Sequence, residues 1–122
     1  MEILINTPGQ TFYYSTIQEL MHHCEQKNNC AVILLKEDAK DFIEQVKDRF
    51  KTCISQLIVI GDNVNEAVEQ TKNYDTLIIS ASNLQDAIQI ALNSSNLCKD
   101  VICVSKIESS KSFTDIIELV IT

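Results

Sequence analysis

The pattern of apolar and polar residues predicts a chain in which short β-strands alternate with helices. The apolar runs have the length of strands, and most are followed by a segment with apolar residues at helical spacing. The predicted strands are Glu2–Ile5, Ala31–Leu35, Leu57–Ile60, Thr76–Ile79 and Val101–Val104. Because such alternation is typical of βαβ units, the sequence predicts an α/β fold. We expect one domain over residues 1–122, with a single doubly wound, mainly parallel, Rossmann-like sheet of five or six strands and helices on both faces.

Helical segments between the strands are predicted from apolar residues that recur at i, i+3, i+4 and i+7. In chain order, their inward faces comprise Ile17, Leu20, Met21 and Cys24; Phe42 or Ile43, Val46 and Phe50; Val64, Ala67, Val68 and the methyl of Thr71; Leu84, Ala87, Ile88, Ala91 and Leu92; and Phe113, Ile116, Ile117 and Val120. The chain end Leu119–Ile121 is an alternative sixth strand, since periodicity does not distinguish a strand from a helix over so short a run.

Polar residues predict where the helices begin. Ser15 or Thr16 precedes the first helix and Ser82 the fourth, each with a Gln or Glu three residues later, which is capping-box spacing. Asp62 is the predicted cap of the third helix. Asp38 and Asp41 lie in or near the first turn of the second helix, where the helix dipole favours negative charge.

In a doubly wound sheet, ligands bind beyond the carboxyl ends of the strands. The loops expected at that edge are Asn6–Gln10, Lys36–Ala39, Gly61–Asn63, Ser80–Asn83 and Ser105–Lys111. Any binding site is therefore predicted to be built from these loops.

The sequence lacks the usual nucleotide-binding signatures. Its only glycines are Gly9 and Gly61, so neither the P-loop nor the dinucleotide-binding pattern is possible. Backbone amides at Asp62–Asn65 or Ser82–Gln85 remain candidate anion sites, since helix N-termini attract negative charge. The carboxylate of Asp62 argues against the first of these.

The other reactive side chains favour structural roles. His22 and His23 are adjacent and point about 100° apart on a helix, so they do not chelate one metal together. Asp38 and Asp62 are better explained as carboxylates at helix N-termini than as a cation site. A serine–lysine nucleophile around Ser105 and Lys106 is less favoured than a solvated loop. We therefore predict no metal ligands and no catalytic residues.

Composition narrows the class of partner. The formal net charge is −7, and an acidic surface disfavours nucleic acid and membrane surfaces as partners. No apolar run approaches the about 18–20 residues that span a bilayer, and the N-terminus does not resemble a signal peptide.

The five cysteines form no C-x-x-C pair, and Cys24 and Cys103 fall on apolar faces. This usage predicts free thiols in a reducing, cytoplasmic environment rather than disulfides or a zinc site.

Several segments resemble, in order, those of a known enzyme family. They are NTPGQT at residues 6–11, AVILLKEDAKD at residues 31–41, then LIVIGDNVNEAV, NLQDAIQIAL and VICVSKIESSKSFTDIIELV. Over nearly the whole chain this series is similar to the C-terminal domain of the Mur ligases, which join amino acids to UDP-N-acetylmuramoyl intermediates of peptidoglycan with ATP and magnesium. The resemblance implies Thr7, Asp38, Ser105 and Ser109 as substrate-binding residues.

The chain departs from the family pattern in the loops. Pro8 stands where the family has lysine, Leu35 and Lys36 replace paired glycines, Ala39 replaces a lysine, and Lys106 replaces a proline. In the family a separate central domain holds ATP. The resemblance therefore implies a chain that binds no cofactor alone, with ATP and magnesium only as part of a longer ligase.

Three functional hypotheses follow from these observations. The first is a Mur-ligase-type C-terminal domain that binds an amino-acid or nucleotide-peptide substrate, is inactive alone and has upstream ligase domains as its partner. The second is a non-catalytic interaction module with a protein partner, which the lost glycines and lysines favour. The third is a receiver-like signalling domain, suggested by Asp62, Ser80 and Lys106 after successive strands. Against the third, Asn6 and Thr7 follow the first strand, where a receiver needs acidic magnesium ligands.

Overall fold

The predicted α/β architecture is confirmed by a computed structural model, which describes residues 1–23, 29–46, 53–95, 98–104 and 110–121. Strands and helices alternate after an initial pair of strands. The strands are β1 Glu2–Thr7, β2 Gln10–Ser15, β3 Cys30–Leu35, β4 Ile54–Ile60, β5 Leu77–Ala81 and β6 Asp100–Val104. The helices are α1 Ile17–His23, α2 Lys36–Val46, α3 Asn65–Gln70, α4 Leu84–Leu92 and α5 Ser110–Ile121.

The six strands form one sheet in the order β1-β2-β6-β3-β4-β5. β1 pairs antiparallel with β2, and all the other neighbouring strands are parallel. In receiver-like domains, with the order 2-1-3-4-5, the last strand lies at an edge. Here β6, the last strand, lies between β2 and β3. The receiver-like hypothesis is therefore wrong at the level of topology.

The sixth strand of the sheet is β2, which the sequence pattern did not predict. Thr7 pairs with Gln10, so Pro8 and Gly9 form a two-residue hairpin loop, with Gly9 at φ 101°. The residues that follow, TFYY, are of the types enriched in strands. The alternative sixth strand at Leu119–Ile121 is wrong, because α5 continues to Ile121.

The buried side chain of Gln10 hydrogen-bonds the start of β2 to α4 and to the segment before β6. Gln10 is 4% exposed, and its Nε2 donates to the carbonyl oxygens of Ala91 at 2.8 Å and Cys98 at 3.0 Å. The two carbonyls belong to α4 and to the segment before β6. Since buried polar groups need partners, this amide satisfies backbone oxygens of two different elements at once.

Each face of the sheet has its own apolar core. On one face α1, α2 and α3 cover the sheet, with Leu20, Phe42 and Ala67 among their buried residues. On the other face α4 and α5 contribute Ile88 and Ile117. The alternating side chains of β3 enter both cores, Val32 and Leu34 in the first and Ala31 and Ile33 in the second. The all-apolar strand predicted at Ala31–Leu35 is thus covered on both faces, as parallel strands usually are.

The course of the chain explains why the helices divide in this way. Strands β2, β3, β4 and β5 succeed one another in one direction across the sheet, and right-handed crossovers place α1, α2 and α3 on the same face. The connection from β5 back to β6 runs the other way, so α4 lies on the opposite face. Neighbouring strands next to β6 therefore lead to opposite faces, which defines a topological switch point.

The predicted helix starts are confirmed in part. Thr16 and Glu19 form the expected capping box: Glu19 Oε1 accepts from Thr16 N at 3.2 Å, and Glu19 N donates to Thr16 Oγ1 at 3.2 Å. The prediction that Asp62 caps the third helix is wrong, because α3 begins at Asn65 after Val64, without a side-chain cap. Val68, predicted to be buried, is 45% exposed.

The state of the cysteines differs from the prediction at one position. Cys30, Cys98 and Cys103 are buried free thiols, as expected, and burial raises the pKa of Cys103 to about 12. Cys53, in contrast, is disulfide-bonded, so the prediction of free thiols is wrong for this residue. The predicted apolar-face residue Cys24 lies outside the described residues.

The described helices include none with the length and apolar character needed to cross a membrane.

We expect Gly61→Ala to destabilise the fold more than Gly9→Ala. Both glycines have positive φ, 148° and 101°, but a Cβ on Gly61 would lie 2.7 Å from Lys36 Cβ, whereas one on Gly9 meets nothing within 4 Å. Backbone strain with a steric clash predicts a loss of about 2–4 kcal/mol for Gly61→Ala, against about 1–2 kcal/mol for Gly9→Ala. Urea unfolding followed by circular dichroism measures both, and equal losses would contradict the predicted contact with Lys36.

Candidate functional site

Among the cavities at the carboxyl edge of the parallel strands, two flank the end of β6, one on each face of the sheet. The first, here the acidic cavity, has a volume of about 300 Å³. It is lined by Ser15, Thr16, Ile17, Gln18, Leu34, Asp38, Asp41, Phe42, Gln45 and Val104. The second, here the apolar cavity, has a volume of about 270 Å³ and shares Leu34 and Val104 with the first. Both lie beside the end of β6, which is the switch point where a doubly wound sheet is expected to bind a ligand.

Two carboxylates from α2 give the acidic cavity its charge. Asp38 is half-buried and Asp41 is exposed, and their i, i+3 spacing places them on the same side of the helix. Neither forms an ion pair within the described parts of the chain. Two unneutralised carboxylates on a concave surface attract a cationic group and repel an anionic one.

The rest of this cavity suits a ligand with both apolar and polar parts. Leu34 and Phe42 are fully buried core residues that reach its floor. Thr16, Gln18 and Gln45 are polar and exposed at its rim. An apolar floor with a few convergent polar groups is the usual composition of a small-molecule site.

The start of α1, beside the acidic cavity, carries further negative charge. Glu19 accepts from both the backbone N and the Oγ1 of Thr16, and it pairs with the amino group of Met1. The hydrogen bond from the Met1 ammonium, followed by those from Thr16, lowers the pKa of the Glu19 carboxyl. The amide of Thr16 already donates to the carboxylate of Glu19. This helix start is therefore unsuited to binding an anion.

The N-terminus of α4, beside the apolar cavity, is closed to anions in the same way. Asn83 Oδ1 accepts from Asp86 N at 2.8 Å, and Asp86 Oδ2 accepts from Ser82 N at 2.9 Å. The cap is therefore Asn83, one residue later than the predicted Ser82. Because a carboxylate already occupies this end, the structure does not support the candidate anion site at Ser82–Gln85.

The apolar cavity itself is formed mainly by aliphatic side chains. Its lining comprises Ile33, Leu34, Leu35, Ile60, Ser82, Asn83, Leu84, Val104 and Phe113. Polar groups come only from Ser82 and Asn83 among these residues, so this cavity favours an uncharged, apolar ligand group.

The predicted site residues are not all brought together. Asp38 lies at the acidic cavity. Thr7 lies at the opposite edge, because β1 runs antiparallel and its end meets the start of β2, where Thr11 N donates to Lys99 O at 2.8 Å. The prediction that Asn6–Gln10 lies at the carboxyl edge is therefore wrong, and Thr7 does not share a cavity with Asp38. Ser105 and Ser109 lie outside the described residues.

The sequence pattern did not assign binding roles to several residues that line the acidic cavity. Asp41 and Gln45 follow Asp38 at helical spacing, three and seven residues on, which is a signal for a shared polar face. Thr16 and Gln18 also line the cavity because α1 follows β2, and a prediction without β2 cannot place α1 beside α2.

For metal binding, the described residues contain no group of three or more His, Cys, Asp or Glu side chains suitably placed.

Comparison with known proteins supports the fold. No protein-family model matches the chain, and no curated protein matches it. Among solved structures, the chain is similar to a domain of a proposed UDP-N-acetylmuramate:L-alanyl-γ-D-glutamyl-meso-diaminopimelate ligase from Haemophilus ducreyi 35000HP, with a TM-score of 0.62 and 9% sequence identity. The alignment covers 98% of this chain and 98% of that domain. At this identity the similarity concerns the fold alone.

We expect Asn83→Ala to destabilise the fold by about 1 kcal/mol, because it removes the side chain that accepts from the amide of Asp86 at the start of α4. Ser82→Ala is the matched control, since the hydrogen bond of Ser82 in this cap comes from its backbone. Chemical denaturation measures both. A larger loss for Ser82→Ala would restore the cap predicted from the sequence.

Proposed function

We propose that this chain is a substrate-binding domain of the Mur ligase C-terminal type, inactive alone, that holds the amino group of an amino-acid or peptide substrate at the acidic cavity. The observation that carries the proposal is the pair of carboxylates, Asp38 and Asp41, above an apolar floor at the switch point of the sheet. The similarity in fold to a ligase domain and the order of sequence segments support the same reading.

The recognition chemistry follows from charge and burial. An ammonium group offers three donors, and carboxylates are acceptors. A hydrogen bond between charged groups contributes about 1.5–3 kcal/mol, and more where water is partly excluded, as at half-buried Asp38. Leu34 and Phe42 would then contact the aliphatic part of the same ligand. In this scheme the chain positions the amine, and it contributes no bond-forming step.

The residues present do not fit ATP. The sequence has two glycines and no phosphate-binding loop, and the start of α4 is occupied by Asp86. ATP and its magnesium would be held by other domains of a longer ligase, as the resemblance implies, and those domains would be this chain's partner.

A non-catalytic interaction module is the second candidate. It is favoured by the exposed apolar side chains Leu119, 65% exposed, and Ile121, 41% exposed, near the end of α5. Being two residues apart, they lie on different sides of the helix, so each would contact a partner separately.

We expect the peptide L-alanyl-γ-D-glutamyl-meso-diaminopimelate, taken from the name of the similar ligase, to shift the backbone amide resonances around Asp38, Asp41 and Gln45 in the labelled chain. The double variant Asp38→Asn/Asp41→Asn should raise Kd about tenfold or more, because one charged hydrogen bond of 1.5–3 kcal/mol corresponds to that factor or more. NMR titration measures the constants.

Two controls separate the amine from other contacts. Asp75→Asn changes an exposed carboxylate just before β5, at the other edge of the sheet, and should leave Kd unchanged. The N-acetylated peptide, which lacks a charged α-amino group, should bind the native chain more weakly. No response to the peptide would favour the interaction module, and amide shifts on adding ATP alone would contradict the proposed division of roles.

A further inference from the structure

The sheet ends on one side at β5, which pairs with β4 alone among the described strands. Leu77 is 57% exposed, and Ile78 and Ile79 are only half-buried although they lie in the middle of the strand. Their neighbours on β4, Leu57 and Ile58, are fully buried. The outer side of β5, here the β5 edge, therefore leaves backbone groups and apolar side chains open to contact.

The two edges of the sheet differ in the features that prevent pairing with a further strand. At the other edge, β1 carries the exposed Glu2, and its register is irregular between Ile3 and Ile5. Charges and bulges are common means by which an edge strand avoids pairing. The sequence of β5, LIISA, contains neither charge nor proline, and its register with β4 is unbroken. The β5 edge is thus the one suited to accepting another strand.

One hydrogen bond fixes which backbone groups of β5 point outwards. Gly61 N donates to Ala81 O at 2.9 Å, so the backbone groups of Ala81 face β4. In a strand, the N–H and C=O of one residue point to the same side, and those of the next residue point to the other side. Leu77 and Ile79 therefore also face β4. Ile78 and Ser80 direct their N–H and C=O groups towards the open edge.

We propose that two copies of this chain associate by antiparallel pairing of their β5 strands about a two-fold axis at Ile79. In this register Ile78 lies opposite Ser80 of the second copy, and the two residues exchange both N–H···O bonds. The symmetry repeats the exchange on the other side of the axis. Ile79 faces its own counterpart, and Leu77 faces Ala81, in non-hydrogen-bonded pairs, where side chains approach most closely.

Self-complementarity favours a second copy as the occupant of this edge. Ile79 is the middle residue of β5, so an axis there pairs the strand with its counterpart over its full length. Each copy has a formal net charge of −7, and like charges placed opposite each other would oppose association. The paired strands are uncharged, and Asp75, before β5, comes opposite Asn83 rather than another acid.

This association is independent of the proposed substrate. The β5 edge is separated from β6 by β3 and β4, whereas the acidic cavity lies beside the end of β6. Because the β1 edge is protected, pairing of two β5 edges leaves no second strand open for growth. The expected product is a closed dimer with one continuous sheet, not a filament.

Sedimentation velocity of the full chain from about 5 to about 500 µM tests the association, since a small interface predicts a Kd in the micromolar range. We expect the native chain to pass from monomer to dimer. Ser80→Pro, which removes an outward N–H in each copy, should raise Kd about tenfold or more. Ser80→Ala is the matched control, because it loses the same side-chain bond to Gly61 O but keeps the N–H.

A second pair of variants tests the position of the axis. Ile79→Lys places two ammonium groups opposite each other and should keep the chain monomeric over the same concentrations. Leu119→Lys introduces the same charge at an apolar residue of α5 that is 65% exposed, and should associate like the native chain. Circular dichroism checks that each variant is folded.

Hydrogen exchange followed by NMR reads the register on the native chain, without any substitution. The amides of Ile78 and Ser80 should gain protection as the concentration rises, because pairing gives them acceptors. Those of Leu77 and Ile79 already face β4 and should change less.

Four results would overturn the proposal. One is a native chain that remains monomeric at every concentration, and another is growth beyond the dimer. A third is association that Leu119→Lys abolishes and Ser80→Pro does not, which would place the interface at α5. The fourth is exchange at Ile78 and Ser80 that does not depend on concentration, a result that holds whether or not the variants fold.

Discussion

The insertion of β6 between β2 and β3 is the constraint on which the rest of the arrangement depends. To reach that position from β5, the chain must return across the face that α1, α2 and α3 leave uncovered. This return covers β3 on its second face and accounts for its uninterrupted run of apolar residues. It also separates β2 from β3 by two strand spacings, about 10 Å, at the edge where α1 and α2 begin. The acidic cavity occupies that position between the two helices.

The alternation of strands and helices could be predicted from the sequence because it rests on apolar periodicity, which is local. The hairpin could not be predicted in the same way. In β2 the inward residues include Gln10 and Ser15, so the strand lacks an apolar alternation, and Pro8-Gly9 reads equally well as the end of a strand. The same omission affects the site: a prediction without β2 places Asn6–Gln10 at the wrong edge of the sheet.

The site was predictable only at the level of its location. The edge and the switch point follow from parallel topology, and the position of Asp38 directly after β3 predicts that it lies there. Which helix starts remain open to a ligand depends on side-chain rotamers, which the sequence pattern does not determine. Ser82, Asn83 and Asp86 all had suitable chemistry for a cap, and the structure selects Asn83, with Asp86 returning to the backbone of Ser82. Glu19 and Asp86 accept from backbone amides at the starts of α1 and α4. Asp38 and Asp41 add two carboxylates that form no ion pair among the described residues. The resulting negative charge favours cationic groups over anionic ones at this edge.

The buried amide of Gln10 has a consequence for how the edge of the molecule moves. Outer strands usually fray first, since they are paired on one side and release little when they detach. At this edge the outer strand is β1, and its hairpin partner β2 cannot leave without stranding the carbonyls of Ala91 and Cys98 in an apolar interior. The hairpin edge is thereby joined to α4 and opens with it as one cooperative unit. At the opposite margin, the side-chain hydrogen bonds described for the β5 end, from Thr76 to Ile54 O and from Ser80 to Gly61 O, reach only the neighbouring strand β4 and the residue after it. Because these bonds do not join β5 to a helix, backbone amides at that margin would exchange with solvent earlier.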